Sequence, residues 1–220
     1  MRNRSRRQVR VNLKTKKAIA YALGLDVDDL FDRFYRSTNS GLKTLNGKFR
    51  NQLDAPTIAS DWDGSPLIEC GKGLHVVYGH PLYAVSYVQY PKHRFFRVDR
   101  DDMGEVVPSK NCDGKFRTNR ITLRSKNELG PVSDEFASQE LLAKIAMRTP
   151  YPGIREMALK MLTSKTVIAD TVLMQKCPGS LAIALIKKID NKRLLAKLSK
   201  GSDVGVAKTA KSRLRRLAAK

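Results

Sequence analysis

The chain has 220 residues, of which 42 are Lys or Arg and 21 are Asp or Glu, so its formal charge at pH 7 is +21. A hydrophobic content of 41% is enough to bury a core in one large or two small domains, which argues against disorder throughout. No run of about eighteen apolar residues predicts a transmembrane helix, and no apolar segment behind the Arg-rich N-terminus predicts a secretory signal. We therefore expect a soluble, cytoplasmic protein. Its three widely spaced cysteines favour reduced thiols over a disulfide framework.

The positive charge is concentrated at the two ends of the chain. Residues 1–17 contain 8 basic and no acidic residues, residues 18–139 contain 16 of each, and residues 140–220 contain 18 basic and 5 acidic residues. A block of like charge repels itself, so residues 1–14 are predicted to form a flexible basic arm. Arg-rich N-termini also occur in targeting peptides, but targeting does not explain a second basic excess at the other end. Both excesses favour nucleic acid as the partner, and no membrane association is expected.

Residues 15–34 have the spacing of a helical hairpin. The first helix would have an apolar face at helical spacing, formed by Ala18, Ile19, Ala22 and Leu23. Gly24 would end it, and Asp26 would cap a second helix with Phe31 and Phe34 on its inner face. The string at residues 18–31 resembles the closing helices of phage-repressor-type helix-turn-helix domains. Those domains need several helices upstream, where this chain has only the basic arm, so a hairpin packed on the following domain is predicted.

Turn-forming residues divide residues 35–130 into short segments, which is typical of an α+β domain. Residues 74–78, 95–98 and 117–123 are predicted strands, and residues 111–114 supply a hairpin turn before the last of them. Residues 81–90 are predicted to be a short helix that begins at Pro81. The fold class expected for the whole chain is α+β, with this mixed domain followed by an all-α part.

One motif in this domain resembles a bacteriophage domain. The segment Cys70-Gly71-Lys72-Gly73-Leu74-His75, with Ala84, Tyr87 and Arg97-Val98-Asp99 after it, is similar to a small domain of uncharacterised bacteriophage-encoded proteins. In these proteins a C-x-x-GLH strand precedes a helix and a further strand. The resemblance implies a phage or prophage protein, located in the host cytoplasm or the virion if viral. It implies no activity.

A more distant resemblance is to ADP-ribosyltransferases, in which a strand, a turn and an A-x-x-Y helix help to form the nicotinamide pocket. Tyr35-Arg36-Ser37 would stand for the first strand that contacts NAD, and Glu105 or Glu128 for the glutamate that polarises the ribose. The chain lacks the Ser-Thr-Ser strand and the Glu-x-Glu or Gln-x-Glu turn of these enzymes, so the resemblance leaves the choice of glutamate open. It implies an NAD-dependent enzyme as an alternative function.

The three histidines lie between Cys70 and Cys112. Cys70, His75, His80 and Cys112 would supply the ligand types of a Cys2His2 zinc site, but the paired C-x2-C or H-x3-H spacing is absent. His75 is predicted on the strand face opposite Leu74, which is typical of a hydrogen-bonded structural histidine. No metal and no cofactor are therefore predicted. Because the histidines also lack a Ser or Cys partner motif, the sequence leans against an enzyme.

Residues 140–217, after a predicted linker at 131–139, contain a repeat at offsets of 26 and 27 residues. Segments 141–145, 167–172 and 194–198 align as first helices, and segments 154–162, 181–189 and 206–214 align as second helices. Ala158, Ala184 and Ala210 are aligned within the second set. Three helix pairs predict a small α-solenoid. The Ile154-Arg155-Glu156-Met157-Ala158 segment resembles the start of the second helix of compact HEAT repeats, which implies three HEAT-like repeats.

Basic side chains are crowded into the last two repeats, where Asp203 is the only acid after Asp190. Lys208, Lys211 and Arg215 fall on one helix face at i, i+3 and i+7. We therefore predict a protein that binds DNA or RNA by its phosphate backbone, without sequence readout, through two linked sites. The predicted contacts are Arg2, Arg4, Arg6, Arg7, Arg10, Lys187, Lys188, Lys192, Arg193, Lys197, Lys208, Lys211 and Arg215. A second alternative is a structural or adaptor protein that binds an acidic protein through the repeats.

Overall fold

The computed structural model describes residues 11–44, 49–65, 72–87, 92–108, 114–130, 133–173 and 179–219. The chain forms two compact units, Met1–Glu135 and Phe136–Lys220. The boundary lies inside the linker predicted at 131–139. That linker is partly helical, because α2 (Asp134–Ala137) spans the boundary. The first unit combines helices with antiparallel strands and the second is helical, which confirms the α+β class.

Helix α1 (Leu13–Leu23) forms the first half of the predicted hairpin but begins two residues earlier, inside the predicted arm. Ala18, predicted on its apolar face, is exposed, and Ala20 is buried instead. The side-chain oxygen of Asn12 accepts a hydrogen bond from the backbone N–H of Thr15 at 2.8 Å, which satisfies one of the free donors at the helix start. Gly24 ends the helix with φ +69°, in the left-handed region that glycine adopts without a steric cost.

The predicted second helix of the hairpin is wrong. Val27–Asp29 forms a single 3₁₀ turn, and the chain enters strand β1 (Phe31–Asn39) directly after it. Phe34 and Tyr35 pair with two neighbouring strands, so sheet hydrogen bonds replace the helical ones. A short apolar run does not distinguish a buried strand from a helix by periodicity, and here the long-range pairing decides.

The main sheet of the first unit has five antiparallel strands in the order β4-β1-β3-β6-β5. Its other members are β3 (Leu74–Gly79), β4 (His93–Val98), β5 (Val106–Pro108) and β6 (Lys115–Thr118). β2 (Pro56–Ile58) and β7 (Arg120–Thr122) form a separate pair. The strand predicted at 117–123 is therefore two strands in two sheets, divided at Asn119.

Residues on the outer side of β4 cover one edge of this sheet. The backbone N–H of Leu129 donates to the carbonyl of Phe95 at 2.8 Å, and Phe96 forms an isolated bridge with Glu128. At the opposite edge, β5 has three residues and ends at Pro108. Within the described residues, neither edge therefore presents a long unpaired strand.

Helix α1 and a 3₁₀ turn pack against the sheet. The turn, Pro81–Ser86, occupies the start of the predicted helix 81–90, and residues 88–90 lie outside the described residues. Gly114 precedes β6 with φ +89°, and a Cβ at this position would overlap the side chain of Ile19 on α1. The close approach of α1 therefore requires glycine at position 114. The rest of the predicted turn at 111–114 lies outside the described residues.

The second unit contains three pairs of helices at the predicted places. The pairs are α3 (Gln139–Arg148) with α4 (Pro152–Met161), α5 (Lys165–Leu173) with α6 (Gly179–Ile186), and α7 (Lys192–Leu198) with α8 (Val204–Ala218). The first helices also contact one another along the series α3, α5 and α7, and α6 contacts α8. None of the helices in the described ranges combines the length and the apolar character needed to cross a membrane.

One alanine of the predicted repeat is misplaced. Ala158 and Ala210 are fully buried, but Ala184 is exposed and its neighbour Leu185 is buried instead. Leu181 and Leu185, four residues apart, form the inner face of α6, and Ala184 falls one helical step away from it. The buried positions therefore recur at offsets of 27 and 25 residues, not 26.

Candidate nucleic-acid interface

Most acidic side chains of the second unit are already engaged within it. Three of them form ion pairs with lysines: Glu156 with Lys160, Asp170 with Lys197, and Asp190 with Lys165. Asp203 caps α8, because its carboxylate accepts a hydrogen bond from the backbone N–H of Val206 at 2.9 Å. The carboxylates of this unit therefore neutralise few of its remaining cations.

Helix α8 has a continuous cationic face. Lys208, Lys211 and Arg215 are exposed and lie opposite the buried Val206 and Ala210, as the spacing predicts. The three side chains extend over seven residues, about 10.5 Å of helix axis. The helix itself contains no acidic residue. The helix dipole favours a cation near the C-terminus, as at Arg215, but it does not act on the middle of the helix, where Lys208 and Lys211 lie.

Helix α7 adds cations at its start. Lys192 and Arg193 are exposed in the first turn, where the helix dipole disfavours positive charge, and Asn191 caps the same turn. Helix stability therefore does not account for these two residues. Lys197 is also exposed, but its ammonium lies 3.9 Å from the carboxylate of Asp170, and this ion pair partly neutralises its positive charge.

Lys187 and Lys188 differ from each other in the structure. Lys187 and Lys188 are both exposed just after α6, and only their contacts differ. The ammonium of Lys188 instead donates hydrogen bonds to the carbonyl oxygens of Leu159 and Leu162 at the C-terminal end of α4, the second at 2.8 Å. Burial lowers the pKa of Lys188. These two hydrogen bonds satisfy carbonyls that the helix end leaves free, and the role of Lys188 as a phosphate contact stays a prediction. The five predicted contacts Arg2, Arg4, Arg6, Arg7 and Arg10 lie outside the described residues.

The residues predicted for an NAD-dependent site are not brought together. Arg36 is 3% exposed, and its guanidinium donates to the carbonyl oxygen of His75 at 2.5 Å. Glu128 accepts two hydrogen bonds of 2.7 Å from Arg94 on β4, and these bonds lower the pKa of Glu128. Glu105 is exposed directly before β5. Because β4 and β5 are opposite edges of the five-stranded sheet, and Glu128 lies on the outer side of β4, the two glutamates are at opposite edges of the sheet.

Tyr35, the other member of that predicted strand, belongs to a buried cluster. Its hydroxyl donates to the carboxylate of Glu135 at 3.2 Å, and Arg33 lies 3.4 Å from the same oxygen. Burial and, after it, the charge of Glu135 raise the pKa of Tyr35. The cluster holds Glu135 against β1 within the first unit and has the character of a structural contact.

The histidine and cysteine pattern does not form a described metal site. His80 is fully buried, and its Nδ1 accepts a hydrogen bond from the backbone N–H of Leu82 at 3.1 Å. His75 is half-buried on β3, and its strand neighbour Leu74 is fully buried. Cys70 and Cys112 lie outside the described residues. Among the residues that the structure does describe, no group of three or more His, Cys, Asp or Glu could hold a metal ion.

The burial of His80 predicts a pH-dependent stability. Desolvation lowers its pKa from the ordinary 6.5 to about 3, and a hydrogen bond to the backbone of Glu135 opposes this shift. Below pH 6.5 the unfolded chain binds a proton that the folded chain excludes, so the free energy of unfolding should fall by about 1.4 kcal/mol per pH unit until about pH 3. Urea unfolding followed by the fluorescence of the single tryptophan, Trp62, measures this between pH 7 and pH 5. In His80→Asn, which keeps a side-chain acceptor for Leu82, the slope should largely disappear. An equal slope in both proteins would contradict the prediction.

No family model, curated protein or solved structure matches the chain.

The structure also reveals a basic face that the sequence patterns left unassigned. On α1, Lys14, Lys17 and Tyr21 are exposed on the side opposite the buried Ile19 and Leu23. These three residues have the i, i+3, i+7 spacing that marks Lys208, Lys211 and Arg215 on α8. The same spacing signal was therefore available in the sequence for α1.

Proposed function

We propose that this protein binds nucleic acid through the phosphate backbone without reading its sequence. The observation that carries the proposal is the exposed face of α8, where Lys208, Lys211 and Arg215 are presented on a helix that contains no acid. Lys192 and Arg193 at the start of α7 extend the cationic surface, since α7 packs against α8. Cations held on rigid helices neutralise phosphates and release the condensed counterions, which favours binding.

The proposal is supported by the single sign of these charges and by the repulsion between them, which folding does not compensate. An ordinary solvated surface mixes both signs, because like charges on one face repel each other. Here most acids of the same unit are used in ion pairs and in a helix cap, and the dipole does not stabilise Lys192, Arg193, Lys208 or Lys211. A polyanionic partner accounts for cations that folding does not require.

A HEAT-like arrangement of the second unit belongs to the same proposal. Its support is the contact of successive first helices, α3 with α5 and α5 with α7, together with buried positions that recur from pair to pair. Helix repeats of this type present one helix face of each pair on an extended surface. Such a surface suits a long ligand that offers the same charge along its length.

The salt dependence of binding tests the proposed function. We count five phosphate contacts, from Lys192, Arg193, Lys208, Lys211 and Arg215. They predict that the logarithm of the association constant for duplex DNA falls with the logarithm of the salt concentration with a slope of about −4.5 or steeper. Contacts from the N-terminal arginines would steepen it further. The measurement is the Kd of the full-length chain for duplexes of unrelated sequence between about 50 and 200 mM salt. Similar Kd values for all sequences are expected at each salt concentration.

A flat salt response would contradict the proposal. The adaptor alternative makes a different prediction, because a bound acidic protein should remain in a pull-down after nuclease digestion. A nucleic-acid partner, and any protein held only through it, should be lost in that treatment.

A further inference from the structure

Helix α1 presents a face that the core does not use. Its exposed residues are Leu13, Lys14, Lys17, Ala18 and Tyr21, and its buried residues are Thr15, Ile19, Ala20, Ala22 and Leu23. At 100° per residue the exposed residues occupy one continuous side of the helix. No acidic residue precedes Asp26 in the chain, so the helix itself contributes no carboxylate to this side.

The lysines of α1 divide into one that serves the fold and two that do not. The ammonium of Lys16 lies 5.4 Å from the centre of the Tyr78 ring and 4.0 Å from the carboxylate of Asp32. Lys14 and Lys17 are exposed on the other side of the helix. The difference follows from the helical spacing, because Lys16 falls on the same side of the helix as the buried residues and Lys14 and Lys17 fall on the opposite side.

Tyr21 is the most unusual residue of this face. It is 74% exposed, whereas Tyr35, Tyr78 and Tyr83 are buried. An aromatic side chain exposed to this degree gives up the favourable burial that those three tyrosines obtain. Tyr21 lies one helical turn from Lys17 and two turns from Lys14, so an aromatic ring and two ammonium groups share one stripe of about 10.5 Å.

We propose that this stripe binds single-stranded nucleic acid, with the ring of Tyr21 stacked on an unpaired base and Lys14 and Lys17 on the flanking phosphates. The proposal rests on the proposed function and adds the type of strand. Aromatic rings next to cations bind single strands because every base offers a flat face to an aromatic ring. In a duplex those faces are covered by the neighbouring base pairs, so only the two lysines would contribute there. The charge of the stripe matches a polyanion, and its single aromatic residue supplies the base contact.

The affinities of Tyr21→Ser for a single-stranded oligothymidylate and for a duplex of the same length test the proposal. With the full-length protein at one salt concentration, the Kd for the single strand should rise about 5- to 100-fold, and the Kd for the duplex should change less than twofold. The slope of log K against log salt should stay the same, because the phenol carries no charge. Tyr21→Phe should bind the single strand nearly as tightly as the unchanged protein.

Two control variants separate stacking from other effects. Tyr151→Ser removes an aromatic side chain that is 44% exposed at the start of α4, and Leu13→Ser removes an apolar side chain from α1 itself. Both should leave the Kd for the single strand unchanged. The thermal unfolding of Tyr21→Ser should match that of the unchanged protein, since the side chain makes little contact with the core.

The outcomes separate this proposal from the proposed function. If the unchanged protein binds with a steep salt dependence but Tyr21→Ser affects neither ligand, or both equally, the stacking site is wrong and the backbone-binding function stands. If the salt response of the unchanged protein is flat for both ligands, the proposed function fails and the stacking site fails with it.

Discussion

Replacing Arg117 with alanine should lower the free energy of unfolding of the first unit by about 3–4 kcal/mol. Arg117 on β6 is 0% exposed, and its guanidinium donates to the carboxylate of Asp63 at 3.1 Å and to the carbonyl of Lys72 at 2.8 Å. It also donates to the carbonyl of Ser65 and lies 5.8 Å from the centre of the Trp62 ring. The substitution removes all of these hydrogen bonds and leaves a cavity beneath Trp62.

Two further variants show whether the fork shape of the guanidinium matters. Arg117→Lys keeps the charge but offers one point of attachment, so an intermediate loss of stability is expected. Arg120→Ala removes an exposed arginine of β7 and should change the free energy of unfolding by less than about 0.5 kcal/mol. Trp62 lies in the first unit, so its fluorescence in urea follows the unfolding of that unit. A loss below about 1 kcal/mol in Arg117→Ala would show that the loop at residues 61–65 does not depend on this side chain.

Neutralising the cationic face of α8 should have the largest effect on binding. In the triple variant Lys208→Gln, Lys211→Gln and Arg215→Gln, about three phosphate contacts are lost, so the salt slope for duplex DNA should become shallower by about 2.7. If the two proteins bind equally at 1 M salt, this difference raises the Kd at 0.1 M salt by about 10²- to 10³-fold. All three side chains are exposed, so the stability of the helix should change little.

A control variant with the same change in charge separates contact from net charge. Lys43, Lys126 and Lys160 are exposed and lie outside α1, α7 and α8, so their replacement by glutamine also removes three positive charges. Its salt slope should stay within about one unit of that of the unchanged protein. Equal losses in the two triple variants would mean that overall charge, rather than the face of α8, determines binding.

Local patterns predicted the elements whose partners are close in the sequence. Helix α1, strand β3 and the three helix pairs follow from apolar spacing, capping residues and turn residues, all of which act within a few positions. The start of β1 at Phe31 does not, because its pairing partners on β3 and β4 lie more than forty residues away. The same apolar residues suit a helix or a strand, and the sheet decides between them.

Positions within elements were harder to predict than the elements themselves. The alignment of alanines placed Ala184 in the core, but the longer side chains of Leu181 and Leu185 fill that face of α6. Lys188 was predicted as a phosphate contact because it is a lysine in a basic segment, and only the folded structure shows that its exposed side chain also bonds to the carbonyls at the end of α4. Sequence composition locates positive charge, and the neighbouring helix determines which charges remain available.

The covered edge of β4 bears on how copies of this protein behave when they are close together. Binding along a polyanion would hold many copies at a high local concentration, a condition in which open strand edges join between molecules and aggregate. Leu129 and Glu128 already occupy the outer side of β4, and Arg94 holds Glu128 there through two hydrogen bonds. The opposite edge is short and ends in Pro108, which has no N–H to donate. Within the described residues, little open strand therefore remains at either edge of this sheet for pairing with a neighbouring molecule.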